Sequence, residues 1–379
     1  MHRRPQRLDR LPQQYFTALL ARVAEAAAQE GEPLVNFGRG NPEVGPPPHV
    51  IEAAQRAAAD PESHGYPQFR GMPELREAVA ARYRDVYGVD VDPETEVAVV
   101  PGTKSAIVEL CVVLAERGDA VLLPDPGYPD YFSGVALSAA QLVTLPLEQP
   151  TWAPDFDAAP QARVVYLNYP SNPCAAAAPA GTFDDAVEYA RMHDAAVVHD
   201  FAYGDLVFDG RRPESFLATR GAKDVGVEMF SMSKSYGMAG WRLGFVVGNA
   251  EIVERINLLQ DHTRAGVFRA VQAAGIAALT GLQDSVEARR ARYEERRDRV
   301  LDALPIRAVS EGTFYVWIEL PDGLTAERLL TKHRIALAPG EGFGERGRGW
   351  ARISLAVTDD VLEVGLERLL AAASATMAS

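Results

Sequence analysis

Between residues 96 and 247, short apolar runs alternate with helical stretches, and this constrains the fold more than any other feature. The runs are Glu96–Val100, Ala120–Leu123, Val164–Leu167, Ala196–Val198, Val227–Ser231 and Leu243–Val247. Strands so short and so uniformly apolar are buried on both faces. That predicts an α/β domain with a mostly parallel sheet covered by helices. In such sheets ligands sit beyond the carboxyl ends of the strands, and the polar clusters of this chain follow its strand ends. A different pattern begins near Ile252 with a long helical stretch reaching Arg297. Phe314–Glu319 then alternates in polarity, and Ala351–Leu355 reads as another strand among helices. This predicts a second, smaller α+β domain. At roughly 150 residues per domain, 379 residues accommodate both. The expected division is an N-terminal arm with part of the small domain over 1–44, a large domain over 45–275 and the small domain over 276–379. Helices are expected over Leu11–Gln29, Val50–Ala59, Met72–Tyr87, Ser105–Glu116 and Phe183–Met192.

The net charge of −14 argues against nucleic acid as a partner, because an acidic body repels phosphate backbones. Only two cysteines occur, Cys111 and Cys174, and neither has a CxxC partner. A zinc site or disulfide framework is not expected, and a reducing cytoplasm fits. The basic start, Met1-His2-Arg3-Arg4, lacks a following apolar segment, so it does not read as a signal peptide. No apolar run approaches the length of a membrane span. There are four lysines against 34 arginines. Arginine cannot form an imine or lose its proton near neutrality, so each lysine carries weight.

Two tempting motifs fail. Gly38-Arg39-Gly40 lacks the third glycine of a dinucleotide fingerprint, since Glu43 stands there and Pro42 interrupts. Gly102-Thr103-Lys104-Ser105 is not a P-loop end, because lysine does not directly follow glycine. No HExxH occurs. Three other clusters combine. Asn168-Tyr169-Pro170-Ser171-Asn172-Pro173, His199-Asp200-Phe201-Ala202-Tyr203 and Ser231-Met232-Ser233-Lys234 each follow a strand of the same sheet, and Arg242 comes eight residues after Lys234.

In that order these clusters resemble the active site of class I/II aminotransferases, the fold type I pyridoxal 5'-phosphate enzymes. The resemblance runs from Leu11 to about Leu370. Its wording is closest to methionine-salvage aminotransferases acting on ketomethylthiobutyrate and to LL-diaminopimelate aminotransferases. Pro124–Tyr131, His199–Gly204 and Met238–Gly248 carry that closeness. The resemblance implies a seven-stranded, mostly parallel sheet and a homodimer. Lys234 would bind the cofactor as an imine and move the substrate's proton. Asp200 would pair with the pyridine nitrogen and keep it protonated. Asn172 and Tyr203 would donate to the ring's 3′-oxygen, and Tyr128 would stack on the ring. Thr103 and Lys104 open a helix whose N–H groups suit a phosphate. Ser231, Ser233 and Arg242 would add donors to it. Tyr66 would reach the phosphate in the neighbouring subunit. Arg352 would take the substrate α-carboxylate, Gly40 would approach it by its backbone, and Tyr15 would line the substrate pocket.

The chain departs from the family in two places. Asn172-Pro173-Cys174-Ala175 replaces the usual Asn-Pro-Thr-Gly. Asp261–Gly266 differs from both closest groups, and Ala265 stands near an asparagine of the diaminopimelate enzymes. Arg264 reads as solvated, with recognition of an acidic substrate side chain as the alternative. The expected activity is ping-pong amino transfer between an L-amino acid and a 2-oxo acid, with methionine and ketomethylthiobutyrate as first choice. LL-diaminopimelate transfer and a carbon–sulfur β-lyase reaction share the same residues. A non-enzymatic ligand sensor would need an added DNA-binding domain.

Overall fold

The computed structural model describes residues 4–377. The first three residues of the basic N-terminal run and the last two of the chain lie outside the described residues. The main sheet has the spatial order Val97–Val100, Gly244–Gly248, Gly226–Ser231, Ala196–Asp200, Val164–Asn168, Ala120–Asp125, Gln141–Glu148, Ala153–Pro154. Seven strands form its body, and the two-residue Ala153–Pro154 pairs antiparallel at one edge. Only Gly244–Gly248 runs against both of its neighbours. The Gln141–Glu148 strand escaped the sequence reading because its apolar residues are interrupted by Gln141, Thr144 and Pro146 and it is exposed near its start, unlike the buried central strands.

Alternate strand residues feed two separate cores. Val97, Val99, Val165, Leu167 and Val197 face one core, while Ala98, Val100, Val164, Tyr166 and Val198 face the other. This follows from the two-residue period of a strand buried on both sides. Each fully buried Val or Leu side chain contributes about 1.5–3 kcal/mol. The helices Thr182–His193 and Thr103–Leu114 cover the two faces through Phe183 and Ala186 and through Ala106 and Leu110, respectively.

A four-stranded antiparallel sheet, ordered Ala308–Val309, Tyr315–Glu319, Trp350–Ser354, Ala338–Pro339, anchors a third core. The arm helix Tyr15–Ala27 leads into Val35–Asn36, which pairs in parallel with Ile335–Ala336. The expected helical stretch 252–297 is three helices, Ala250–Thr263, Arg269–Thr280 and Asp284–Ala303. Arg264 is extended at the first break, and Gly266, at φ +83°, completes it. The expected boundary at 275/276 falls inside Arg269–Thr280, whose Ala274 and Ala278 belong to the main-sheet core. The crossing is made by Asp284–Ala303, with Val286 in that core and Tyr293 and Val300 in the third. The polar strand ends and the arm helix enclose a space between the two sheets.

Candidate active site

That space is a cavity of about 600 Å3. It gathers Thr103, Lys104, Tyr128, Asn172, Asp200, Tyr203, Ser231, Ser233, Lys234, Arg242, Gly40 and Arg352 from widely separated segments. Asp200 is the last residue of its strand. Ser231 ends the next one, and its hydroxyl caps the turn Met232–Ser235 by accepting from the Ser233 N–H. That turn points Lys234 into the cavity, where its Nζ donates to the Gly40 carbonyl at 3.1 Å.

Lys234 is enclosed, and its amine is held down to about 8. Burial is the main cause, the Arg352 and Arg242 charges add to it, and Asp200 opposes. The Asp200 carboxyl is pushed up by burial. It is pulled back by the Tyr131 hydroxyl donating to Oδ2 at 2.9 Å and by the Ala202 N–H donating to Oδ1 at 3.2 Å. Asn168 ties the neighbouring strand ends together. Its Nδ2 donates to the Asp200 carbonyl at 2.7 Å, and its Oδ1 accepts the Asn172 N–H at 2.7 Å.

Gly102 opens the helix Thr103–Leu114 at φ +83°. A Cβ there would lie 2.3 Å from Arg242 Nη2, so only glycine lets the guanidinium lie against the helix start. Arg242 sits in the left-handed region at φ +57° and donates to the Ala239 carbonyl at 2.9 Å. Gly40 likewise has no room for a side chain: a Cβ would meet the Tyr315 hydroxyl at 2.3 Å.

Arg352 is fully buried in the middle of the strand Trp350–Ser354. Its Nη1 donates to Asn172 Oδ1, and its guanidinium lies 3.9 Å from the Tyr315 ring centroid. Nη2 reaches the Gly38 carbonyl at only 3.4 Å, and Nε has no partner. Spare donors on a buried cation suit an incoming anion.

Two expected site residues do not line this cavity, and of these Tyr66 was expected in the neighbouring subunit's site. Tyr15 turns its hydroxyl to the Pro339 carbonyl at 3.0 Å and is not on the cavity lining. Phe16, the next residue of the arm helix, lines it instead, 5.8 Å from the Tyr128 ring and 5.5 Å from the Arg352 guanidinium. A helix turns about 100° per residue, which leaves Tyr15 outside the arc of Phe16, Thr17, Leu19 and Leu20 that faces the cavity. Tyr66 is 90% exposed and stands away from the cavity of its own chain. Arg264 is partly exposed and is not on the cavity lining; it forms an ion pair with the mostly buried Glu109. Sequence reasoning missed Tyr131, Asn168, Tyr315 and Phe16. Tyr131 and Asn168 stood inside quoted clusters, whereas Tyr315 looked like an ordinary strand aromatic.

Residues 32–369 match the family described as aminotransferase class I and II. The chain belongs to that family. A Bacillus subtilis L-glutamine–4-(methylsulfanyl)-2-oxobutanoate aminotransferase is 45% identical, over 96% of this chain and 94% of its own. An LL-diaminopimelate aminotransferase of Dehalococcoides mccartyi is 38% identical, over 96% and 97%. A substrate-bound BacF structure from Bacillus subtilis superposes with a TM-score of 0.91 at 38% identity, covering 98% of each chain. This aminotransferase is therefore a pyridoxal 5'-phosphate enzyme with the fold type I architecture.

The lining fits that cofactor on its own chemistry. The phosphate would find the first N–H groups of the helix Thr103–Leu114, the hydroxyls of Thr103, Ser231 and Ser233, and the Arg242 charge, gathered where the bare Gly102 leaves room. The buried Asp200 carboxylate, the half-buried Lys234 and the Tyr128 ring complete a lining for a flat, charged heterocycle. No helix among the described residues is long and apolar enough to cross a membrane.

Proposed function

We propose that this aminotransferase moves an amino group between glutamine or methionine and 2-oxo acids with an uncharged, unbranched side chain, of the 4-(methylsulfanyl)-2-oxobutanoate type. The observation that carries the reading is the cavity wall. Phe16, Leu19, Leu20, Ile107 and Tyr128 line it, and Asp200 is the only carboxylate among the lining residues. A thioether packs favourably against aromatic rings. The distal ammonium of a diamino acid has no counter-charge from this chain, which disfavours LL-diaminopimelate. The 45% identical relative bears a name of the same substrate type.

In this reading the cofactor supplies an electron sink for the substrate's Cα electrons. Arg352 and the Gly40 backbone hold the substrate carboxylate and fix the Cα–H direction. Lys234 Nζ would take the proton from Cα and carry it. Asp200 would hold a proton on the pyridine nitrogen, Asn172 and Tyr203 would donate to the ring oxygen, and Tyr128 would pack against the ring. Thr103, Ser231, Ser233 and Arg242 would bind the phosphate, with the Lys104 N–H at the helix start. Single-turnover mixing of the holoenzyme with separate amino acids tests the substrate. Methionine and glutamine are expected to bleach the yellow cofactor band and release their keto acids. Faster bleaching by LL-diaminopimelate than by methionine would overturn the reading.

We also propose a homodimer in which Tyr66 completes the phosphate site of the partner. Tyr66, Phe69 and Phe268 are each exposed, and the segments that carry them meet where Gly266 approaches the Gln68 backbone. Inactive Lys234→Ala chains mixed with impaired Tyr66→Ala chains are expected to regain activity on subunit exchange. Each hybrid then carries one site with both native residues. No regain would mean that Tyr66 does not act across subunits.

A further inference from the structure

Tyr315 lines the cavity, yet no step proposed for the reaction uses it. It opens the strand Tyr315–Glu319 and is 2% exposed. Its backbone is anchored on both sides. The N–H donates to Thr313 Oγ1 at 3.0 Å, and the carbonyl accepts the Ser310 hydroxyl at 2.7 Å. The strand register sets Trp317 opposite Arg352, so Tyr315, two residues earlier on the same face, is the diagonal neighbour of that arginine. The Arg352 guanidinium lies over the Tyr315 ring, 3.9 Å from its centroid. On the other side the bare Cα of Gly40 lets the Tyr315 hydroxyl lie against the backbone, where a Cβ would come within 2.3 Å of it.

That clamped hydroxyl stands 3.3 Å from the hydroxyl of Tyr203, which also lines the cavity. The separation is long for two hydroxyls, so neither proton is tied down. Arg352, Lys234 and Tyr128 are the charged and titratable groups that face the pair. Arg352 carries only donors, Lys234 Nζ donates to the Gly40 carbonyl, and the Tyr128 hydroxyl bonds to Asp130. Among the described residues, the hydroxyls of Tyr203 and Tyr315 therefore have only each other. Two hydroxyls carry two protons, and only one can lie between them. The other is spare, at the edge of a cavity, in a place where an unpaired polar group is costly.

We propose that Tyr315 is a positioning residue that acts on the cofactor through Tyr203. The inference rests on the reading of Tyr203 as a donor to the ring oxygen. With that oxygen in place, Tyr203 turns its proton to it, and Tyr315 turns its own proton to Tyr203. A hydroxyl that accepts a hydrogen bond is a stronger donor. Arg352 and Gly40 keep the Tyr315 ring where its hydroxyl can do this. The pair then draws more charge from the ring oxygen than Tyr203 would alone. The proton that the bound cofactor carries beside that oxygen is held less tightly and leaves at a lower pH.

The test is a pH titration of the yellow cofactor band of the holoenzyme, without substrate. Tyr315→Phe keeps the ring and its contact with Arg352 and removes only the hydroxyl. Its midpoint is expected about half a pH unit above that of the wild type, the weight of one modest hydrogen bond. Tyr203→Phe should raise the midpoint further. Adding Tyr315→Phe to Tyr203→Phe should then change nothing more, because the group it acts through is gone. A midpoint that Tyr203→Phe leaves unmoved would refute the reading of Tyr203, and the inference with it. A midpoint moved by Tyr203→Phe but not by Tyr315→Phe would refute the inference alone. Equal shifts from Tyr315→Phe with and without the Tyr203 hydroxyl would also overturn it, since they would mark an effect of packing. Should Tyr203→Phe fail to hold cofactor, Tyr315→Phe decides by itself: a raised midpoint supports the inference and an unchanged one overturns it.

Discussion

Lys234→Arg is expected to lower amino transfer at least about 10,000-fold, with the cofactor still taken up. Arginine fills a similar volume and keeps the positive charge, so the phosphate donors and Asp200 stay as they are. It cannot give up its proton near neutrality, so it can neither attack a carbonyl carbon nor carry the proton from Cα. The expected signature is an enzyme that binds cofactor, shows the spectrum of the free aldehyde and turns over no amino acid. Retained turnover within tenfold of wild type would remove Lys234 from the chemistry.

The environment of Lys234 sharpens this into a pH dependence. An amine titrating near 8 is neutral in about one molecule in ten at pH 7. At an ordinary lysine value the neutral fraction would be about one in 3,000. Capture of the cofactor by the empty enzyme should therefore rise with pH and level off a little above 8, not above 10. Burial and the two arginine charges set the direction, because both penalise the ammonium. A rate still climbing steeply at pH 10 would show that the amine is not held down.

Much of the architecture was legible because its signals are local. Fully apolar strands such as Val164–Asn168 can only be central strands, and the polar residues after them can only lie at the strand ends. Asn172, Asp200 and Lys234 stand in clusters after such strands, whereas Arg242 and the roles expected of all four came from the resemblance to the family. What escaped depends on contacts across the chain. Asp130 and Gln14 are 116 residues apart and meet only in the folded protein. Tyr315 matters because Gly40, Tyr203 and Arg352 arrive beside it. The exchange of Phe16 for Tyr15 is a question of helix phase, which a periodicity of apolar residues fixes only to within a neighbour. The replaced Thr-Gly turn is instructive in another way. Ala175 occupies the left-handed region at φ +55° and its N–H donates to the Ser171 carbonyl at 2.9 Å, so the turn survives without its glycine. Such a conformation costs an alanine roughly 1–2 kcal/mol, and the buried packing of Ala175 against the third core offsets it.

Arg352→Leu is expected to lower kcat/KM for amino acids about 1,000-fold while leaving cofactor binding intact. Removing one partner of a buried, hydrogen-bonded charge pair costs about 2–5 kcal/mol, and the substrate carboxylate would be that stranded partner. The guanidinium is fully buried and has two nitrogens, Nε and Nη2, without strong partners in the chain. Its cost in burial is therefore repaid only when an anion arrives. The decisive comparison uses a primary amine that lacks the carboxylate. Its slow reaction should be unaffected by the substitution, because it never uses Arg352. Arg352→Lys should fall between, keeping the charge and losing the planar fork. A uniform loss with both amino acids and amines would instead assign Arg352 to the packing of Tyr315 and Asn172, and the carboxylate would have to be held elsewhere.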